Sequence, residues 1–147
     1  MKSNRIRAVA NRHDSQTVME RILIIDDEAS IRSMIRLMLE REGYTVAEAS
    51  DGAEGIQRFR EEPADLIITD LIMPNKDGIG VILDLKKECS STKIIAMSGG
   101  GLNRPEGYLR GAKKLGAAHT LSKPIDRQEL LRAVKDTLKG HTEPPPT

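Results

Sequence analysis

The stretch Asp65-Leu66-Ile67-Ile68-Thr69-Asp70-Leu71-Ile72-Met73-Pro74 sets the tightest limit on how this chain can fold. A short apolar, β-branched run bounded by turn signals reads as a strand buried on both faces, as in a parallel sheet. Pro74 and the Asn75-Lys76-Asp77-Gly78 cluster behind it make the chain turn. Asp70 is therefore expected at the carboxyl edge of a central strand, where open α/β sheets bind ligands. A carboxylate beside a buried strand must be paired or hold a metal. The plainer alternative is a helix N-cap for the segment after Pro74.

Arg21-Ile22-Leu23-Ile24-Ile25-Asp26-Asp27 repeats the pattern, delivering two more acids to the same edge. Ile31, Met34, Ile35 and Met38 then recur at helical spacing, with Gly43 as the stop. Tyr44–Ala49 reads as a short strand. Asp51 and Glu54 resemble a capping box, opening a helix that carries Ala53, Ile56 and Phe59 and ends before Pro63. Ile79, Ile82 and Leu83 mark a third helix. Lys93–Ser98 is a strand ending in a hydroxyl, followed by Gly99-Gly100-Gly101. Leu109, Ala112 and Leu115 mark a fourth helix closed by Gly116, and Ala117–Ser122 a fifth strand ending at Lys123-Pro124. The last helix carries Leu130, Leu131, Val134 and Leu138, with Gly140 as its stop.

Strands alternating with helices in this way predict an α/β fold with a parallel sheet covered on both faces. Right-handed crossovers leave few topologies. The flavodoxin-like, doubly wound (βα)5 order 2-1-3-4-5 sets the first and third strands side by side. Asp26, Asp27 and Asp70 would then converge on one crevice.

The 147 residues suit one domain with a full core. We expect a flexible basic arm over 1–19, a folded domain over 20–140 and a Pro-rich disordered tail over 141–147. With no Trp, one Phe and two Tyr, the core must come from Ile, Leu, Val, Met and Ala, and aromatic platforms for single-stranded nucleic acid are excluded. A net charge of +1 calls for neither nucleic acid nor membrane as partner. No apolar stretch approaches the ~20 residues of a membrane span, and the amino terminus lacks the apolar core of a secretory signal. Cys89 is the only cysteine, so no internal disulfide forms and a cytoplasmic setting is expected.

Carboxylates crowded into one crevice repel unless a cation sits among them. Hard oxygen donors, with no His or second Cys nearby, point to Mg²⁺ or Mn²⁺ rather than zinc. Mg²⁺ binds a few carboxylates together with phosphate oxygens, so such a site implies a phosphoryl substrate. Lys123 and Ser98 arrive at the same edge, where an ammonium can neutralise a phosphoryl group and a hydroxyl can hydrogen-bond one of its oxygens. Phosphoryl transfer needs mostly positioning and charge neutralisation, and a carboxylate can itself be the nucleophile.

The set Asp26-Asp27, Asp70-Leu71-Ile72-Met73-Pro74 with Asp77-Gly78, Ser98 and Lys123-Pro124 resembles the receiver domain of bacterial response regulators, over roughly residues 20 to 139. The resemblance implies that Asp70 accepts a phosphoryl group from a histidine kinase or a histidine phosphotransfer protein, with Ser98 and Lys123 assisting. It implies that Asp27, Asp70 and the Ile72 backbone carbonyl ligate Mg²⁺, with Asp26 acting mainly through water. It also implies a cis Lys123–Pro124 bond, and a regulatory phosphoacceptor rather than an enzyme. A downstream target would dock on the face of the fourth helix, fifth strand and fifth helix. With no second domain after residue 140, output would come from binding a target or passing the phosphate on.

Two positions depart from the family pattern. Thr120 stands three residues before the lysine, where family members usually carry a switch aromatic, and neighbouring His119 faces the other side of its strand. The loop from Gly99 to Pro105 is long and glycine-rich, resembling a variant of stand-alone receivers. The competing readings are an aspartyl-phosphate hydrolase, whose Asp-x-Asp motif would need an acid where Ile72 stands, and a pseudo-receiver that works without phosphorylation. No Walker A or GxGxxG motif follows a strand.

Overall fold

The structure, a computed structural model, describes residues 19–73, 78–99 and 105–140. The expected arm over 1–18, the turn over 74–77, the glycine-rich loop over 100–104 and the tail over 141–147 lie outside the described residues.

Strands and helices alternate along the chain: β1 (Arg21–Ile25), α1 (Ala29–Glu40), β2 (Thr45–Ala49), α2 (Gly52–Glu61), β3 (Leu66–Asp70), α3 (Gly78–Glu88), β4 (Ile94–Ser98), α4 (Pro105–Leu115), β5 (His119–Ser122) and α5 (Arg127–Leu138). All strand pairs are parallel, in the order β2-β1-β3-β4-β5. This is the flavodoxin-like doubly wound sheet that the alternation predicts.

The central strands are apolar throughout because both of their faces are covered. Leu23, Ile25 and Ile67 pack with α2, α3 and α4, around Ile56, Phe59, Val81, Ile82, Leu85 and Ala112. Ile22, Ile24, Leu66 and Ile68 face the other way, against Ile35 and Leu39 of α1 and Leu130 and Val134 of α5. Each fully buried aliphatic side chain stabilises the fold by about 1.5–3 kcal/mol.

Helix ends follow the sequence signals. Gly43 and Gly116 adopt positive φ of 96° and 121°, which L side chains resist, and each closes its helix in a Schellman arrangement. Tyr44 N–H reaches Leu39 O at 3.2 Å, and Ala117 N–H reaches Ala112 O at 2.9 Å. At α2, the Asp51 carboxylate accepts from Glu54 N–H at 2.8 Å, as a cap should. The reciprocal contact departs from the standard box, since Glu54 accepts from Ser50 N–H at 2.7 Å.

Two positions expected on apolar helix faces turn outward. Leu83 is 43% exposed, because Val81, Ile82 and Leu85 already fill the inner face of α3. Ala53 is also exposed, while Gly52 and Gly55 take the inward positions of α2. A Cβ on Gly55 would run into the Ile25 side chain, which would have to shift to make room for it.

Candidate functional site

The parallel register aligns the carboxyl ends of the strands. Ile25 of β1 pairs with Thr69 of β3, so Asp26 and Asp70 leave neighbouring strands at one level. Across β3 and β4, Asp70 pairs with Met97, and Ser98 in turn pairs with Ser122. Lys123 follows directly, with its N–H on Ser98 O at 2.8 Å and the expected cis bond to Pro124.

Carboxylate oxygens of Asp26, Asp27 and Asp70 lie within 4.8 Å of one another. Asp26 is fully buried and Asp70 is 4% exposed, whereas Asp27 is open to solvent. The Lys123 ammonium bridges two of them, 2.8 Å from Asp26 Oδ2 and 3.3 Å from Asp70 Oδ2. The second Asp26 oxygen accepts from Glu28 N–H at 2.8 Å. Asp26 thus spends both oxygens on protein partners. The Asp27 carboxylate has no hydrogen-bond partner among the described residues and faces the opening.

Burial pushes the Asp70 carboxyl above the usual carboxylate range; the Lys123 charge pulls against this, and the Asp26 charge adds to the rise. Burial alone would pull the Lys123 ammonium down, but its hydrogen bond to Asp26 and the Asp70 charge outweigh it and hold the group above its ordinary value. The two shifts fit the distances: the lysine pairs first with Asp26, leaving Asp70 incompletely compensated.

Three carboxylates around one ammonium make an electronegative pocket of hard oxygen donors, a set that could hold Mg²⁺ or Mn²⁺. Ile72 sits at the rim, its N–H 3.4 Å from Asp70 Oδ1. Ser98 is buried at the end of β4, and among the described residues its hydroxyl contacts Gly99 O at 3.4 Å. Thr120, half-buried, alternates with Leu121, which packs into the α1–α5 side of the core.

Two neighbours of the site, Glu28 and Arg32, escaped the sequence reading, and a third, Gly78, has a role beyond the turn read there. Glu28 comes within 3.5 Å of Lys123. Arg32 donates to Asp26 O at 2.7 Å and to Glu48 Oε1 at 3.0 Å. Its signal was Glu48 itself, an acid inside a strand that needs a cationic partner. Gly78, read as part of a turn, packs on the end of β3: a Cβ there would collide with Asp70 O and lie 2.6 Å from Leu71 Cα. The glycine is needed for close approach, with Gly78 N–H on Leu71 O at 3.0 Å.

Comparison with known proteins agrees with this geometry. Residues 22–135 match the family described as response regulator receiver domain. The chain is 37% identical over 126 residues to the transcriptional regulatory protein ResD of Bacillus subtilis (strain 168), covering 84% of this chain and 50% of that protein. It is 34% identical over 119 residues to the chemotaxis protein CheY of the same strain, covering 80% of this chain and 97% of that one. The crystal structure of a response regulator receiver domain protein from Clostridium thermocellum superposes with a TM-score of 0.77 at 32% identity, over 83% of this chain and 96% of that one. The chain spans about half the length of ResD and nearly all of CheY. An intact acid cluster at the carboxyl edge of a 2-1-3-4-5 sheet, a lysine before a cis proline and a match over residues 22–135 place this chain in the response regulator receiver domain family of two-component signalling.

Proposed function

We propose that Asp70 is the phosphoacceptor, taking a phosphoryl group from a phosphohistidine on a sensor histidine kinase or a histidine phosphotransfer protein. The observation that carries this is the convergence of Asp26, Asp27 and Asp70 within 4.8 Å of one another, with the Lys123 ammonium bridging Asp26 and Asp70. An Asp70 oxygen attacks phosphorus; the new O–P bond forms as the P–N bond breaks, and the imidazole keeps the electron pair. Lys123, 3.3 Å from Asp70 Oδ2, is placed to pair with the arriving phosphoryl oxygens. Ser98 assists by turning its hydroxyl toward one of them. Asp27, Asp70 and the Ile72 carbonyl would hold Mg²⁺, or Mn²⁺ in its place, with Asp26 engaged mainly through water. The exposed Asp27 and the doubly engaged Asp26 support that division. The cation neutralises the charge that would otherwise repel an anionic donor.

The chain then acts as a regulatory phosphoacceptor, assisting only its own phosphorylation and dephosphorylation. Output runs through the α4–β5–α5 face to a protein target, because Ser98 and Lys123 lead into those elements. Residues 20–140 form the receiver unit, with 1–19 and 141–147 accessory to it. The setting is cytoplasmic, where the lone Cys89 stays reduced.

The test is labelling with acetyl phosphate in Mg²⁺. Asp70→Asn keeps the shape but removes the nucleophile, so the label should be lost while the fold survives. Label on the variant at the wild-type level would overturn the assignment.

A further inference from the structure

We propose that Arg32 is a positioning residue for the cation site, holding the Asp26–Asp27 peptide in place while Glu48 holds the guanidinium. The inference rests on the cation reading above and adds a residue to it.

Asp26 and Asp27 lie in the short connection between β1 and α1. The Asp27 carboxylate has no described partner of its own, so its position depends on the backbone beneath it. That backbone is held from two sides. Asp26 N–H donates to Ala49 O at 3.2 Å, tying the connection to the end of β2. Arg32 Nη1 donates to Asp26 O at 2.7 Å, the carbonyl of the peptide that joins the two acids. Holding this oxygen sets the plane of the peptide and hence the direction in which Asp27 leaves it.

The guanidinium is itself immobilised. Arg32 Nε bonds Glu48 Oε1 at 3.0 Å, and Glu48 stands on β2 in register with Ile24. The other Glu48 oxygen is taken by Arg36 Nη1. Arg36 also donates to Val46 O at 3.0 Å and to Glu40 at 3.0 Å. Both carboxylate oxygens are therefore occupied, and Glu48 cannot swing without breaking two ion pairs. Arg32, Arg36, Glu48 and Glu40 sum to no net charge, so the strut stiffens the acidic connection without adding a positive charge that would oppose the cation. Groups that orient a metal's ligands commonly change its affinity by about 10- to 100-fold when removed.

Arg36 supplies the control: it shares Glu48 but does not reach Asp26. Mn²⁺ binding to the full chain, followed by electron paramagnetic resonance, is compared among wild type, Arg32→Met, Arg32→Lys, Arg36→Met and Asp27→Asn, with melting temperatures alongside. Arg32→Met should weaken Mn²⁺ binding about 10-fold or more. Arg36→Met, which leaves the Arg32 contacts to Asp26 O and Glu48 in place, should weaken binding by less than Arg32→Met although both variants lower the melting temperature. Arg32→Lys, which replaces the planar two-pronged guanidinium with a single ammonium nitrogen, should fall between and serves as the second variant if Arg32→Met does not fold. Unchanged affinity in Arg32→Met, or in Arg32→Lys when only it folds, or equal losses in Arg32→Met and Arg36→Met, would overturn the proposal while leaving the cation site standing. Wild-type binding that survives Asp27→Asn unchanged would instead overturn the cation reading, and the proposal with it.

Discussion

The two edges of the sheet solve the same electrostatic problem in opposite ways. At the amino edge, a cavity of about 460 Å³ is bordered by Lys86 and Lys93, among others, beside the carboxyl ends of α3, α4 and α5. Each of these two ammonium groups ends on backbone carbonyls. Lys86 Nζ reaches Ser90 O at 3.2 Å and Thr92 O at 2.6 Å, and Lys93 Nζ reaches Leu138 O at 2.9 Å. Cations at helix carboxyl ends meet both the unpaired carbonyls and the negative end of the helix dipole. At the carboxyl edge, by contrast, three carboxylates cluster and the lysine beside them reaches two, Asp26 and Asp70. At the amino edge these two ammonium groups are met by carbonyls of the chain itself, whereas the carboxyl edge is short of positive charge. The asymmetry is one of charge compensation, and it marks the carboxyl edge as the one that could hold a cation.

Removing the lysine at each edge tests the contrast most severely. Lys123→Met leaves Asp26 fully buried without its cation and should cost about 3–5 kcal/mol in metal-free buffer, read by denaturant unfolding. Added Mg²⁺ should recover part of the loss. At the other edge, Lys93→Met frees one carbonyl that water can reach and should cost only about 0.5–1.5 kcal/mol, with no response to Mg²⁺. Equal losses at the two edges would break the comparison.

Gly78→Ala comes between these extremes. The new methyl must displace the Asp70–Leu71 backbone, at about 1–3 kcal/mol, and should slow acetyl phosphate labelling because Asp70 itself moves. A stable variant that labels at the wild-type rate would show that β3 yields without disturbing the carboxylate.

The smallest expected effect is a pH dependence. The Asp70 carboxyl is raised in the folded state, chiefly by burial. The folded chain therefore holds that proton more tightly than the unfolded chain. Its contribution to stability is fully present below the unfolded pKa and is lost as pH rises through the folded one. Asp70→Asn does not ionise. In metal-free buffer it should gain stability over wild type as pH rises from acid toward neutral, and the gain should shrink again on acidification. Glu48 should show the opposite sign. Burial would raise its carboxyl, but hydrogen bonds from Arg36 and Arg32 prevail and lower it, so its contribution is present above the unfolded pKa and fades as pH falls. Melting curves of Asp70→Asn and Glu48→Gln across pH would separate the two; parallel profiles would contradict the assigned shifts.

The strand order followed from the few topologies that right-handed crossovers allow, while the amino-acid sequence by itself determined the order of elements and the strand ends at which Asp26, Asp27, Asp70, Ser98 and Lys123 emerge. These are local matters: apolar runs of strand length, helical spacing and glycines that allow positive φ all act within a few residues. Even so, spacing alone assigned Leu83 and Ala53 to the core, because it cannot say how wide a helix's buried stripe is. Only the tertiary structure decided which acid the lysine holds. The Lys123–Asp26 contact spans 97 positions and the Arg32–Glu48 contact 16, and each depends on where separate strands come to rest. It also decided that Gly78 serves close packing against the end of β3. Propensity is carried by neighbours in the chain, whereas charge compensation and steric room are set by neighbours in space, which the sheet brings together only once it has formed.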